Sequence, residues 1–239
     1  MQKNIIIKSK DKKFNIYGVL DRKAKTDRVI IFVHGLTGNK NEHQFYNAAK
    51  YFNDLGFAAF RFDLYSDKEN GRKLEDCAIS THSEDLNQVI SYFKNKFSRL
   101  FLVGHSLGGP TILGADLKGI EKIVLWDPAV NLPKTAKRKF YYFNKEINAY
   151  IVSWGTSFII GKKMIEDWKH LDLSKWVNNT EVPLKIICAG KGILKEEWKK
   201  IIGQFKSKNK LAIIKKAGHS FDEENTEAEL FKETLAWFK

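Results

Sequence analysis

The chain has 239 residues, of which 43% are hydrophobic and 29% charged, proportions that exclude disordered and fibrous classes and allow one substantial core. Its 41 basic and 28 acidic residues leave a net charge of +13, but the lysines run along the whole chain and no nucleic-acid motif accompanies them, so nucleic acid is not an expected partner. No apolar run approaches the roughly 20 residues of a membrane span, and the first ten residues lack the apolar core of a secretory signal, so a cytoplasmic chain without a membrane partner is expected.

Residues 4–8 and 14–20 carry β-branched and aromatic side chains on either side of a polar, turn-like stretch, which predicts an opening hairpin. Residues 28–33 form a continuous apolar run, as in a strand covered on both faces, followed by a glycine-bearing loop and a helical pattern over 45–55. The alternation continues with a strand over 57–62, a helix over 84–96, a strand over 100–103 and a helix from Ser106. Strands over 123–126 and 184–188, a helix over 195–205, a strand over 211–215 and a helix over 226–238 complete it. Such alternation predicts a single α/β domain spanning 1–239, with a mostly parallel sheet and helices on both faces.

The rhythm breaks between residues 131 and 182. This stretch is rich in aromatics, including Phe140, Tyr141, Tyr142, Phe143, Tyr150, Trp154 and Phe158, and its place after a strand end makes it a candidate lid. Most of these rings are expected to hold the insertion to the domain, and a minority to line an acyl pocket at the C-terminal edge of the sheet.

The sharpest signal is Gly104-His105-Ser106-Leu107-Gly108-Gly109, directly after an apolar strand. It matches G-x-S-x-G in the strand-to-helix setting where small residues let the chain turn tightly and project the serine. A hydroxyl is a weak nucleophile at neutral pH and needs a base. His219, in Ala217-Gly218-His219-Ser220-Phe221 after the last strand, is placed to reach back to Ser106, with a pKa suited to taking and returning a proton. The tetrahedral intermediate needs backbone N–H donors, expected from Leu107 and, in His34-Gly35-Leu36-Thr37-Gly38, from Leu36. Gly35 and Gly38 are expected to let this backbone approach the substrate, and His34 to brace the loop.

The order HGLTG, GHSLGG, AGHSF resembles the α/β-hydrolase superfamily, and more narrowly its small bacterial feruloyl or cinnamoyl esterase-like serine hydrolases, over nearly the whole chain. Phe60-Arg61-Phe62-Asp63 resembles the family's fourth strand and following aspartate, with the usual glycine-rich continuation altered to Leu64-Tyr65-Ser66-Asp67. The resemblance implies the α/β-hydrolase fold and acyl transfer from a small-molecule acyl substrate; it does not fix that substrate.

The third member of the site departs from the pattern. The family's acid usually follows the seventh strand, where this chain has Ala189-Gly190-Lys191-Gly192, with Gly192 at the expected aspartate. The best substitute is Asp127, in Leu125-Trp126-Asp127-Pro128-Ala129 at the end of the sixth strand, an arrangement that some lipases and dehalogenases of the superfamily resemble. Asp127 also reads as a turn aspartate before proline, and both readings stand here, with Glu196 and Glu197 as runners-up.

Ester hydrolysis through an acyl-enzyme is the leading expectation. Thioesterase, amidase or acyltransferase chemistry would use the same residues, and a non-catalytic binding protein on a hydrolase scaffold is the reading of a different class. No cofactor and no metal is expected. Cys77 and Cys188 lie in unlike contexts that suggest neither a disulfide nor a ligand set, and Cys188 reads as a small buried hydrophobe.

Overall fold

The computed structural model describes residues 1–130, 141–154, 156–171 and 173–239. Its main sheet has eight strands: β1 Gln2–Lys8, β2 Asn15–Asp21, β3 Arg28–Val33, β4 Ala58–Phe62, β5 Arg99–His105, β6 Ile120–Trp126, β10 Leu184–Ala189 and β11 Asn209–Ile214. They lie in the order β1-β2-β4-β3-β5-β6-β10-β11. β1 pairs antiparallel with β2, as the opening hairpin predicts, and β2 pairs antiparallel with β4; the remaining pairs are parallel.

Alternate residues of the central strands serve two cores. In β3, Val29, Ile31 and Val33 join one apolar cluster while Ile30 and Phe32 join the other, and β5 divides Leu100 and Leu102 from Phe101 and Val103 in the same way. This is the period-two consequence of a strand covered on both faces, and explains why these runs read as continuously hydrophobic. Helices α1 (His43–Asp54) and α7 (Thr226–Phe238) bury Phe45, Phe52, Leu230 and Phe231 on one face; α2 (Ile79–Lys94), α3 (Gly108–Leu113) and α6 (Leu194–Ile201) bury Leu86, Phe93, Ile112 and Trp198 on the other.

Several boundaries differ from expectation: β6 starts at Ile120 rather than 123, and the helix expected over 195–205 ends at Ile201. Helix α2 starts at Ile79 rather than 84 because its first turns bury polar residues, His82, Ser83 and Asp85, which obscure the apolar period. Helix α3 begins at Gly108, two residues after Ser106.

Between β6 and β10 the chain builds a second, antiparallel sheet of β7 (Tyr141–Asn144), β8 (Ala149–Trp154) and β9 (Thr156–Ile160), followed by helices α4 (Lys162–Lys169) and α5 (Leu173–Asn179). Phe140 and the rest of 131–140 fall outside the described residues. Val152, Ile160, Met164, Ile165 and Trp168 form a third apolar cluster with Leu107, Ala129, Cys77 and Ile79. Among the described residues no helix is long and apolar enough to cross a membrane.

Candidate active site

The strand order has a switch point between β3 and β5. From β3 the chain moves outward to β4 and then returns past β3 to β5, so the loops leaving β3 and β5 diverge at the sheet's C-terminal edge, the place where open α/β sheets bind ligands. Register carries this to individual residues. Val33 pairs with Gly104 and His105 with Trp126, so the residues that follow, His34-Gly35, Ser106 and Asp127, stand side by side. Ser106 N–H bonds Trp126 O at 3.1 Å, and Asp127 N–H bonds Ile187 O at 2.7 Å.

Ser106 has φ 50°, the left-handed region that side chains seldom adopt and that marks strained turns at functional sites. Its carbonyl accepts the N–H groups of Gly109 and Ala129, both at 3.0 Å, which hold the turn against the start of α3 and the loop after β6. A Cβ added to Gly35 would lie 3.0 Å from Ser106 Cβ. The smallness of Gly35 therefore makes room for the serine itself. Gly38 differs: a Cβ there would meet Glu42 Oε2 at 2.6 Å, so its space is occupied by a carboxylate rather than kept for a substrate.

His219 lies in the loop after β11. Its Nδ1 donates to Asp127 Oδ2 at 2.6 Å; its side chain is 47% exposed, that of Asp127 1%. The other carboxylate oxygen, Oδ1, accepts the Ala189 N–H at 3.0 Å, so the buried anion has a partner at each oxygen, as burial demands. Asp127 has φ 38°, a conformation aspartate tolerates better than most residues. The corner is fixed from below by Trp198 Nε1, which donates to Pro128 O at 2.8 Å.

The backbone of His219 is held by His105, whose Nε2–H donates to His219 O at 2.9 Å while Nδ1 accepts from Gln44 Nε2 at 3.1 Å. Burial, with the nearby His219 second, depresses the His105 pKa to about 3, which keeps the ring neutral and able to play both parts. The Gly218 N–H donates to Glu223 Oε2 at 2.7 Å, and Lys191 Nζ meets Glu223 Oε1 at 2.8 Å. These bonds hold the Glu223 carboxyl down at about 2. The hydrogen bonds of the site do not include one between Ser106 Oγ and the His219 ring, and such bonds are often long before substrate arrives.

Neither the Leu36 nor the Leu107 N–H donates to a backbone carbonyl among the described residues. His34 braces the Leu36 loop as expected: Nδ1–H donates to Gly35 O at 2.7 Å, and Nε2 accepts the Leu64 N–H at 2.9 Å. Desolvation depresses its pKa to about 4, leaving it neutral.

The runners-up are drawn elsewhere. Glu196 pairs with Lys199 and Glu197 with Lys200, each at 3.0 Å on the surface of α6. Gly192 lies beside the carboxylate: a Cβ at this position would be 3.6 Å from Asp127 Oδ2. The expected corner and the corner that carries the carboxylate converge on one point. His43, also near this edge, meets Asp222 Oδ1 through Nε2 at 2.8 Å. Among the described residues no group of three or more His, Cys, Asp or Glu is arranged to hold a metal ion.

This sheet order, with a serine at the β5 turn and a histidine after the last strand, is that of an α/β-hydrolase. Residues 24–185 match the family model Hydrolase_4, described as serine aminopeptidase, S33; the chain belongs to this hydrolase family. No curated protein sequence matches it. Among solved structures it is similar to Est1E from Butyrivibrio proteoclasticus with bound ferulic acid, at 20% identity and TM-score 0.82 over 97% of this chain and 98% of that one. A putative hydrolase from Agrobacterium vitis is 17% identical with TM-score 0.80, over 100% and 99% of the two chains. The esterase domain of a Rhodothermus marinus protein is 17% identical with TM-score 0.75, over 99% and 97%. At these identities the likeness is one of fold.

Proposed function

We propose that the protein is a serine hydrolase that cleaves carboxylic esters of small molecules through an acyl-enzyme. The observation that carries this reading is the 2.6 Å bond from His219 Nδ1 to the buried Asp127 carboxylate, made at the strand end adjacent to Ser106. A carboxylate on Nδ1 fixes the tautomer whose Nε2 is a free base, and stabilises the imidazolium that forms.

Ser106 Oγ attacks the ester carbonyl carbon as His219 Nε2 takes the hydroxyl proton, and the carbonyl electron pair moves to oxygen. The Leu36 and Leu107 N–H groups receive that oxyanion. Collapse reforms the carbonyl and breaks the bond to the alcohol, which leaves with the proton from Nε2. Water then repeats the sequence and frees the acid and Ser106. Removing one oxyanion donor typically costs about 10² to 10³ in kcat.

The chain acts as one α/β domain, with the insertion over 131–182 as its lid. Leu36 and Leu107 belong with the insertion's cluster, against which Tyr141, Tyr150 and Phe158 also pack, and this shared packing supports the reading of the insertion as a lid whose rings receive the acyl group. The family's description as a serine aminopeptidase favours one second reading, amide hydrolysis by the same residues.

One panel tests both readings: p-nitrophenyl esters of short, long and hydroxycinnamoyl acids beside aminoacyl p-nitroanilides, with wild type, Ser106→Ala, and a Tyr150→Ala/Phe158→Ala variant. Ester turnover exceeding anilide turnover, abolished in Ser106→Ala and altered in relative acyl rates by the double variant, is expected. Ester turnover unchanged in Ser106→Ala overturns the proposal, and unaltered acyl preference removes the lid from it.

A further inference from the structure

The motif Phe60-Arg61-Phe62-Asp63 and its altered continuation have no part in the steps above, yet Arg61, Asp63, Leu64 and Tyr65 all bond to the loop that carries Leu36. Asp63 is buried, at 7% exposure, and uses both carboxylate oxygens on one residue: Oδ1 accepts the Lys40 N–H at 2.9 Å, Oδ2 the Lys40 ammonium at 2.5 Å. The Lys40 carbonyl is taken by Arg61 Nη1 at 2.7 Å. Arg61, 1% exposed, is fixed in turn by Asp21 Oδ2 through Nε and Nη2.

Two further residues of the same segment act nearer the loop's start. Tyr65 Oη donates to Gly38 O at 2.9 Å, and the Leu64 N–H donates to His34. Leu36 thus sits between His34, Gly38 and Lys40, all three tied to residues 61–65. Asp63 itself does not drift, because its N–H bonds Tyr17 O at 2.8 Å.

We propose that Asp63 is a positioning residue that sets the placement of the Leu36 N–H by clamping Lys40 through main chain and side chain together, with Arg61, Leu64 and Tyr65 completing the platform. The reading rests on the proposed oxyanion role of Leu36. The clamp's effect follows from geometry: a donor displaced by about 1 Å can cost on the order of a hundredfold in rate without loss of binding. Because a buried carboxylate and ammonium depend on each other, the variants are graded. Asp63→Asn keeps an acceptor for the Lys40 N–H and loses the ion pair, Asp63→Ala loses both, and Lys40→Met keeps the main-chain bond alone.

The experiment has two arms. In the first, kcat, KM and the affinity of a trifluoromethyl ketone, which forms a tetrahedral adduct, are measured on a hydrolysed ester. Asp63→Ala is expected to lower kcat about a hundredfold with KM within about twofold and ketone affinity falling in parallel, Asp63→Asn to fall between it and wild type, and Lys40→Met to lie closest to wild type. In the second arm, hydrogen exchange of the peptide covering residues 34–40 is followed by mass spectrometry in folded Asp63→Asn, and is expected to speed up there while peptides from β5 and β6 stay unchanged. Exchange in 34–40 equal to wild type overturns the proposal whether or not the protein hydrolyses esters. Faster exchange with unchanged kcat and ketone affinity overturns it too, by showing that the clamp does not govern the donor. Faster exchange in a protein whose wild type takes no acyl substrate supports the clamp and overturns the hydrolase reading instead.

Discussion

Two neighbouring corners at the C-terminal edge of the sheet, one after β6 and one after β10, meet at a single point by opposite means. After β6 the chain turns through Asp127 at positive φ and delivers a buried carboxylate. After β10 it runs through Gly190 and Gly192, whose carbonyls are both capped by Lys195 Nζ, at 2.5 and 2.6 Å. The corners are bonded to each other, Ala189 N–H to Asp127 Oδ1, and a Cβ at Gly192 would stand in ordinary contact with the Asp127 carboxylate, 3.6 Å from Oδ2. Under the proposed reading, the comparison teaches that an orienting carboxylate is specified by its position relative to the histidine Nδ1 rather than by the strand that carries it.

The largest expected effect breaks the β6 corner. In Asp127→Asn the amide cannot serve His219 Nδ1–H as the carboxylate does, and kcat on a hydrolysed ester should fall on the order of 10⁴-fold, the loss known for this change in a serine protease triad. Glu196→Gln and Glu197→Gln should remain near wild type, since their carboxylates face lysines. Circular dichroism separates loss of activity from loss of fold.

The next effect sharpens the comparison by exchanging the corners. Glycine accepts the positive φ at residue 127, so Asp127→Gly isolates the missing carboxylate. Adding Gly192→Asp in that background should recover at least about tenfold in kcat if either corner can reach Nδ1. An exchanged variant no faster than Asp127→Gly alone would show that the β6 corner supplies more than a charge.

A smaller, global effect concerns the histidines behind these corners. Burial depresses His34 to about 4, and His82 and His105 to about 3, from 6.5. Below pH 6.5 the unfolded chain protonates these rings while the folded chain does not until about pH 4, so stability present at neutral pH is lost as pH falls through that window. The slope is about 1.4 kcal/mol per pH unit for each ring. Glu42 and Asp85, whose carboxyls burial pushes up, offset part of it. Urea midpoints at pH 7 and pH 5 should show the loss, and His82→Phe should flatten it by roughly a third; equal midpoints at both pH values would contradict it.

Much of this was legible in the residues. The continuous apolar runs of β3 and β5, the spacing of Ser106 within its glycines and the place of His219 after the last strand follow from local patterns, as does Asp127 at a strand end. The antiparallel sheet of the insertion was less legible, although Ala149–Trp154 is rich in β-branched and aromatic residues, because the aromatic density suggested a lid without a secondary structure. The roles of Gly38 and Asp63 were not legible, since Glu42 filling the space at Gly38 and Lys40 lying on Asp63 depend on how the loop after β3 folds back over β4. No spacing in the sequence encodes that contact.

The central claim is that Asp127 and His219 together activate Ser106, and it is tested most directly by the rate at which a fluorophosphonate labels the folded protein, with the modified residue located by mass spectrometry. The account predicts a single labelled residue, Ser106, no labelling in Ser106→Ala, and labelling in Asp127→Asn slowed in step with its ester turnover. A folded wild type that takes no label, label on another residue, or Asp127→Asn labelled as fast as wild type would contradict it.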